Sequence, residues 1–417
     1  MDFEPWWLIA VPVLFGLGWV AARVDFRQML TESRRLPDSY FKGLNFLLNE
    51  EPDQAIDAFI EVAKLDSETI ELHFALGNLF RRRGEIERAI RVHQSLLARA
   101  DLDVQSRQDA QFELAQDFLK AGMLDRAEAG FEAVTDSRHS VAAMRALVRI
   151  YEAGHDWPQA IEAVKRLGQL TNEAVPQQVH YYCEQAEAAL QATPPQFEQA
   201  QQALDGAERA AKILGEACTL GARVRISLLR ALWAQKNDQP AQQLDELLPI
   251  LHFAPNYAGL IAAQLMQCYE ATDQLDEGLD LLFKQYEQHP NLDVFNVLFK
   301  ALHAQRGPLD AWRFARKALR CTPSLLALDR MLAVELNAAQ ANQPSHTPQE
   351  LVDDPLSKEV AAGADLGLLR SLIHKHTQRL DRYACQECGF ETRHYYWQCP
   401  GCNHWESYPP LQLEELQ

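Results

Sequence analysis

The chain has 417 residues, more than one typical domain needs, and 47% hydrophobic with 24% charged residues excludes both a wholly disordered chain and a multi-span membrane protein. Its 40 Lys and Arg against 58 Asp and Glu leave a net charge of −18, the wrong sign for a general nucleic-acid-binding surface, which must neutralise phosphates. Only 19 Gly and 20 Pro interrupt a sequence rich in Ala, Leu, Gln and Glu, so helix is the expected secondary structure.

From Trp6 to Ala22 no side chain is charged, and this length is at the lower end of what spans a bilayer as a helix. No Lys or Arg precedes the run, unlike a cleavable signal peptide, and it has no polar face on which to lie along an interface. Trp6, Trp7 and Trp19 fall near its ends, where indole rings favour the membrane–water boundary, and Pro12, Gly16 and Gly18 are residues that membrane helices tolerate. A single transmembrane helix is therefore expected. Arg23, Arg27, Arg34 and Arg35 follow it, which puts the short N-terminus outside and the body in the cytoplasm. The expected layout begins with an anchor over 1–23 and a basic juxtamembrane segment over 24–35. Cys183, Cys218, Cys268 and Cys321 are scattered through helical patterns and read as free thiols in a reducing compartment.

A repeat follows. Gly43, Ala55 and Phe59 share their spacing with Gly77, Ala89 and His93, and Ala115, Ala127 and Phe131 repeat it. A small residue in the second helix of each unit recurs at Ala55, Ala89, Ala127, Ala160, Ala200, Ala241, Gly278 and Ala311, with gaps of 33 to 41 residues. Pro290 and Pro323 each stand twelve residues beyond their small residue, where the second helix should stop. A helix–turn–helix unit of about 34 residues is the tetratricopeptide repeat. The small residue lets the paired helices approach, and Phe80, Phe118, Tyr151 and Tyr269 fill the space to the next pair. About eight repeats are expected within an array over 36–340, the units near Pro194-Pro195 and Asn237-Asp238 being the least regular. Such an array forms a superhelix with a long face for protein segments. It shows no nucleophile elbow, phosphate loop or HExxH helix. His73, His93, His180 and His303 read as packing or surface residues, and no catalytic residue is assigned. A linker and short helix, the latter near Asp365 to Leu380, are expected over 341–380.

The C-terminal segment, 381–417, carries two C-x-x-C knuckles, Cys385/Cys388 and Cys399/Cys402, with ten residues between them. That spacing makes a tetrahedral four-thiolate site for one metal ion, zinc in preference to iron. With all four positions taken by sulfur, the metal is structural. Gly389 follows the first knuckle and Asn403 the second, both residue types that accept a left-handed backbone. His394 and His404 read as surface residues. So short a segment cannot bury an adequate core, so the metal and an aromatic cluster of Phe390, Tyr395, Tyr396, Trp397 and Trp405 should hold it together. Arg382 and Arg393 stand against six acids from Asp381 to the end, a net −4 that argues against nucleic acid and favours docking on the repeats or on a protein partner. Two alternatives to a scaffold are a redox or electron-transfer protein using the four cysteines and a nucleic-acid-binding zinc ribbon.

An N-terminal membrane helix, a long repeat array and a terminal rubredoxin-like ribbon in this order resemble the lipopolysaccharide assembly protein B family of Gram-negative bacteria. The most specific stretches are Gly43-Leu44-Asn45-Phe46, Leu76-Gly77-Asn78-Leu79-Phe80-Arg81, Arg88-Ala89-Ile90-Arg91-Val92-His93 and Tyr383-Ala384-Cys385-Gln386-Glu387-Cys388-Gly389-Phe390. Electron-transfer rubredoxins have a longer segment between knuckles and a Gly where Asn403 stands. The resemblance implies a non-enzymatic, cytoplasm-facing inner-membrane regulator of lipopolysaccharide synthesis. It implies cooperation with the membrane-anchored AAA+ protease FtsH in turnover of the deacetylase that commits precursor to lipid A. It further implies restraint by a lipopolysaccharide-sensing inner-membrane protein and a link to the lipopolysaccharide assembly machinery.

Overall fold

A computed structural model describes residues 70–341, 357–380 and 382–416 continuously, with isolated short stretches before residue 70. The expected span Trp6–Ala22 and the segment 24–35 lie outside the described residues, apart from Phe15 and Trp19. Among the described residues no helix is long and apolar enough to cross a membrane. The chain divides into two compact units, Met1–Asn172 and Glu173–Gln417.

The first unit is a stack of helical hairpins: α1 (Ile70–Arg83) with α2 (Ile86–Leu97), α3 (Val104–Lys120) with α4 (Leu124–Glu132), and α5 (Ser140–Ala153) with α6 (Trp157–Thr171). Ala89, Ala127 and Ala160 are fully buried where each pair is tightest, as their spacing requires. The hairpin turns need one left-handed residue, filled by Gly84 (φ 85°) and Gly122 (φ 74°) and then by His155 (φ 54°). A buried polar tie links neighbouring hairpins. His93 Nδ1 lies 2.6 Å from Asp117 Oδ2, and Arg81 Nη1 donates to Asp117 Oδ1 at 2.9 Å. His93 and Asp117 are both fully buried, so the histidine is a packing residue.

The second unit continues the pattern with α7 (Gln177–Gln191) and α8 (Phe197–Leu214), α9 (Leu220–Lys236) and α10 (Pro240–Phe253), α11 (Ala258–Ala271) and α12 (Leu275–Gln288), and α13 (Leu292–Gln305) and α14 (Pro308–Cys321). Helices α12 and α14 end just before Pro290 and Pro323, as expected. Gly278 is required where it stands, because a Cβ there would lie 2.6 Å from the Tyr269 ring. One small-residue assignment is corrected. Ala241 is exposed, and the third residue after the start of α10, which matches Ala200 in α8, is Gln243 at 4% exposure. Loop length around Asn237-Asp238 shifted the apparent register by two.

The helix expected near Asp365 to Leu380 starts earlier than read, and the linker before it, 342–356, lies outside the described residues. Helix α15 runs from Leu325 to Ala341, and α16 spans Ser357–Leu380, 24 residues, packed against it. The buried Asp329 of α15 faces Arg370 and His374 of α16. The last helix of the expected array thus pairs with α16 to close the stack. Two short antiparallel strands, β1 (Tyr383–Ala384) and β2 (Glu391–Thr392), begin the terminal ribbon, with Tyr383 opposite Thr392 and Ala384 opposite Glu391.

Candidate metal centre and its seat on the repeats

The two knuckles are near copies of one another in backbone bonding. Gly389 N–H donates to Cys385 O at 2.9 Å, and Asn403 N–H donates to Cys399 O at 2.8 Å. Cys385 N–H donates to Phe390 O at 3.0 Å, and Cys399 N–H to His404 O at 2.9 Å. Both closures need a left-handed residue, and Gly389 (φ 73°) and Asn403 (φ 59°) supply it as the sequence predicts. The knuckles face each other so that all four sulfurs lie within 4.8 Å of one another. Cys385 Sγ is 3.7 Å from Cys402 Sγ, and Cys388 Sγ is 3.7 Å from Cys399 Sγ. A tetrahedron with metal–sulfur bonds of about 2.3 Å has edges of about 3.8 Å, so the four thiols fit one tetrahedral ion. Soft sulfur donors suit zinc or iron.

The local electrostatics are uneven. Burial raises the Cys385 thiol, but the Ser407 hydroxyl, 3.2 Å away, and the N–H groups of Cys388 and Glu387 outweigh it and bring the value to about 6. Burial at Cys399 is likewise outweighed, by the N–H groups of Cys402 and Gly401 and by the Tyr408 hydroxyl. At Cys402 the His404 N–H favours thiolate, yet burial and the neighbouring sulfurs push the thiol up to about 12. Two sulfurs ionise readily and two resist while their neighbours are sulfur alone. A divalent cation removes that conflict by replacing the protons.

The ribbon is seated on the second unit by its own acids. Glu406 Oε1 lies 2.6 Å from His180 Nε2 and accepts from the Thr219 hydroxyl at the start of α9. Burial would raise the Glu406 carboxyl, but the bonds from His180, Thr219 and the Ala222 N–H hold it below the usual range. Gly221 makes the approach possible, since a Cβ there would sit 2.5 Å from Glu406 Oε2 and 3.0 Å from the Tyr257 hydroxyl. Glu415 Oε1 accepts from Leu292 N–H at 2.8 Å at the start of α13, and Glu414 Oε1 accepts from Leu325 N–H at the start of α15. Two of these acids thus cap helix N-termini directly, where free N–H groups await an acceptor, while Glu406 binds the Thr219 that caps α9; burial raises both Glu414 and Glu415 against the pull of those N–H groups. Tyr383 and Gln412 add bonds of 2.8 and 2.6 Å to Asp293.

Aromatic packing completes the seat. Trp405 stacks on His180 at 4.9 Å and 15°, and Trp397 lies nearly parallel to Tyr257 at 6.1 Å. The Arg225 guanidinium sits 5.8 Å from the centre of each tryptophan ring. Arg225 is 2% exposed and donates to Glu184 Oε1 at 2.5 Å and Glu187 Oε2 at 3.1 Å. Burial lowers the His180 pKa, so its neutral ring donates through Nε2 to Glu406 and presents Nδ1 to Arg225 Nη1, 3.4 Å away. The expected aromatic cluster therefore divides. Tyr395, Trp397 and Trp405 face the repeats, whereas Phe390 and Tyr396 are 47% and 43% exposed. The ribbon's own core is Tyr383, Cys385, Cys399 and Tyr408, with Leu260 of α11 packed against it.

A protein-family profile described as a rubredoxin metal binding domain matches residues 383–410, and a tetratricopeptide repeat profile matches 72–108. Lipopolysaccharide assembly protein B of Escherichia coli (strain K12) is 30% identical over 97% of this chain and 97% of its own length. The chain belongs to the lipopolysaccharide assembly protein B family. The protein of that name from Haemophilus influenzae is 27% identical over 98% of each chain. Among solved structures, a tetratricopeptide repeat protein from Parabacteroides merdae is 10% identical over 72% of this chain and 100% of that one, with a TM-score of 0.32, an overlap from which no inference follows.

In this member of the lipopolysaccharide assembly protein B family, Cys385, Cys388, Cys399 and Cys402 come together as their spacing predicts. His394 and His404 are exposed, also as read. Sequence reasoning missed Glu406, Glu414, Glu415, His180, Arg225 and Gly221. The available signal was the acidity of the segment, which favours docking on the repeats without saying which residues meet which acid.

Proposed function

We propose that this chain is a non-enzymatic scaffold of lipopolysaccharide biosynthesis at the cell inner membrane. It would be held there by Trp6–Ala22 with its body on the cytoplasmic side. In this reading the repeats present the deacetylase that commits precursor to lipid A to the membrane-anchored AAA+ protease FtsH, and a lipopolysaccharide-sensing inner-membrane protein restrains the process. The observation that carries the role in lipopolysaccharide assembly is the relationship, over nearly the whole length of both chains, to proteins named for it. The finer mechanism is supported by the parts available. Helical hairpins suit a soluble client, and tethering near a membrane protease raises effective concentration without new chemistry.

The four thiols would hold zinc in a closed shell, where the ion supplies folding energy and orients the two knuckles. With every coordination position taken by sulfur, no position is left for substrate. Purified chain, FtsH and ATP should together degrade the deacetylase, and the chain alone should bind it uncleaved. Cleavage by the chain alone, in a preparation free of FtsH, would overturn the scaffold reading. An iron–thiolate spectrum with a reversible redox signal on which activity depends would move the assignment to electron transfer.

A further inference from the structure

Two buried hydroxyls beside the cysteines each reach from one knuckle to the other. Ser407 Oγ lies 3.2 Å from Cys385 Sγ in the first knuckle and donates to His404 O of the second at 3.3 Å. The Tyr408 hydroxyl lies 3.6 Å from Cys399 Sγ in the second knuckle and donates to Phe390 O of the first at 3.1 Å. Those carbonyls are the ones that close the knuckles by accepting from Cys399 N–H and Cys385 N–H. Ser407 is 6% and Tyr408 2% exposed, so both bridges are shielded from bulk water. Each hydroxyl has one proton and two acceptors at hand, and a sulfur that has given up its own proton becomes the charged acceptor of the two.

The residue before them is Glu406, the acid bonded to His180 and Thr219 on the repeats. Its backbone is left-handed (φ 52°), a conformation that glutamate adopts only at a cost. Gly and Asn fill the left-handed positions 389 and 403 of the knuckles, but neither carries the carboxylate that the seat requires. The strained residue therefore stands where bonds to the repeats and bonds to the sulfurs meet. A segment this short does not fold without its metal, so the free energy of seating adds to the apparent metal affinity, and the linkage is reciprocal.

We infer that Glu406-Ser407-Tyr408 couples the metal site to the repeats. Ser407 and Tyr408 are positioning residues that bond the ligand sulfurs, and Glu406, continuous with them, carries the state of the site to His180 of α7 and the start of α9. The inference rests on the reading of the four thiols as a metal site. It makes the repeats part of what holds the metal, and makes loss of metal felt on α7 and α9.

The test uses the full-length chain and three measurements: zinc affinity by competition with a chromophoric chelator, hydrogen exchange over the first turn of α9 with and without zinc, and absorption of the cobalt(II)-loaded chain. Glu406→Gln should weaken zinc binding about tenfold and remove most of the slowing of α9 exchange that zinc produces. Its cobalt–thiolate band should stay in place, which shows that the four-sulfur site still forms. Ser407→Ala and Tyr408→Phe should each weaken zinc binding about fivefold. Both should move the cobalt–thiolate band to longer wavelength, because a hydrogen bond to sulfur stabilises the lone pairs from which that transition starts. A band unmoved in both variants removes the hydroxyls from the metal site, and a zinc affinity of Glu406→Gln equal to that of the unmodified chain breaks the coupling. Either result overturns the inference and leaves the metal reading standing. An unmodified chain that binds neither ion overturns both.

Discussion

Glu406→Ala should release the ribbon from the repeats, and the structure sets the size of the effect. The carboxylate is bonded to His180 and accepts from Thr219, and hydrogen bonds to a charged group contribute about 1.5–3 kcal/mol each. The two share one site and are not additive. His180, only 1% exposed, would be left with an unpaired Nε2–H, a cost of about 1–3 kcal/mol. A total near 3 kcal/mol raises the undocked fraction on the order of a hundredfold. Hydrogen exchange over the first turn of α9 and over residues 397–408 reads that fraction directly. Gly221→Ala provides the control. Alone it forces its Cβ against Glu406 and the Tyr257 hydroxyl, offsetting the roughly 1 kcal/mol that Ala gains over Gly in a helix. Combined with Glu406→Ala only the Tyr257 hydroxyl, 3.0 Å from the added Cβ, still opposes it, and the same substitution should cost less than it does alone. Unchanged exchange in Glu406→Ala, or strict additivity of the two substitutions, would refute the docking argument.

Cys399→Ser should release metal and unfold the ribbon, since apparent zinc-binding energies of small modules are about 10–16 kcal/mol; metal content and exchange over 383–408 check this, and a protected ribbon in the metal-free variant contradicts it. Arg225→Met should cost about 2 kcal/mol of ribbon docking, less than the ~3–5 kcal/mol of a fully buried pair because Glu184 and Glu187 are 28% and 37% exposed; denaturation followed by tryptophan fluorescence measures it. Glu415 is raised by burial from an ordinary 4.5 to about 7, so its contribution to seating is fully present below pH 4.5 and is lost as pH rises through 7. Glu415→Gln should therefore flatten the loss of tail protection between pH 6 and 8, whereas Glu406, whose pKa is depressed, contributes above pH 4.5 and loses that contribution in acid.

Local chemistry was legible without coordinates. The knuckle spacing, the left-handed residues Gly389 and Asn403 and the buried small residues Ala89, Ala127, Ala160, Ala200, Gly278 and Ala311 obey short periods, because helices and tight turns are decided by residues a few positions apart. The reading failed where a loop changed the register, at Ala241 and Gln243, and at the start of α16, which begins at Ser357 rather than near Asp365. What only the tertiary structure decided was the use of the acids. His180 and Glu406 are 226 residues apart, and no periodicity connects them. The same holds for Glu414 with Leu325 and Glu415 with Leu292, 89 and 123 residues apart. A helix N-terminus offers the same N–H groups to any nearby acceptor, so which carboxylate caps it depends on where the folded chain brings the ribbon. Composition recorded a net charge of −4 for the tail, and the fold turned three of its six acids into the bonds that hold it in place.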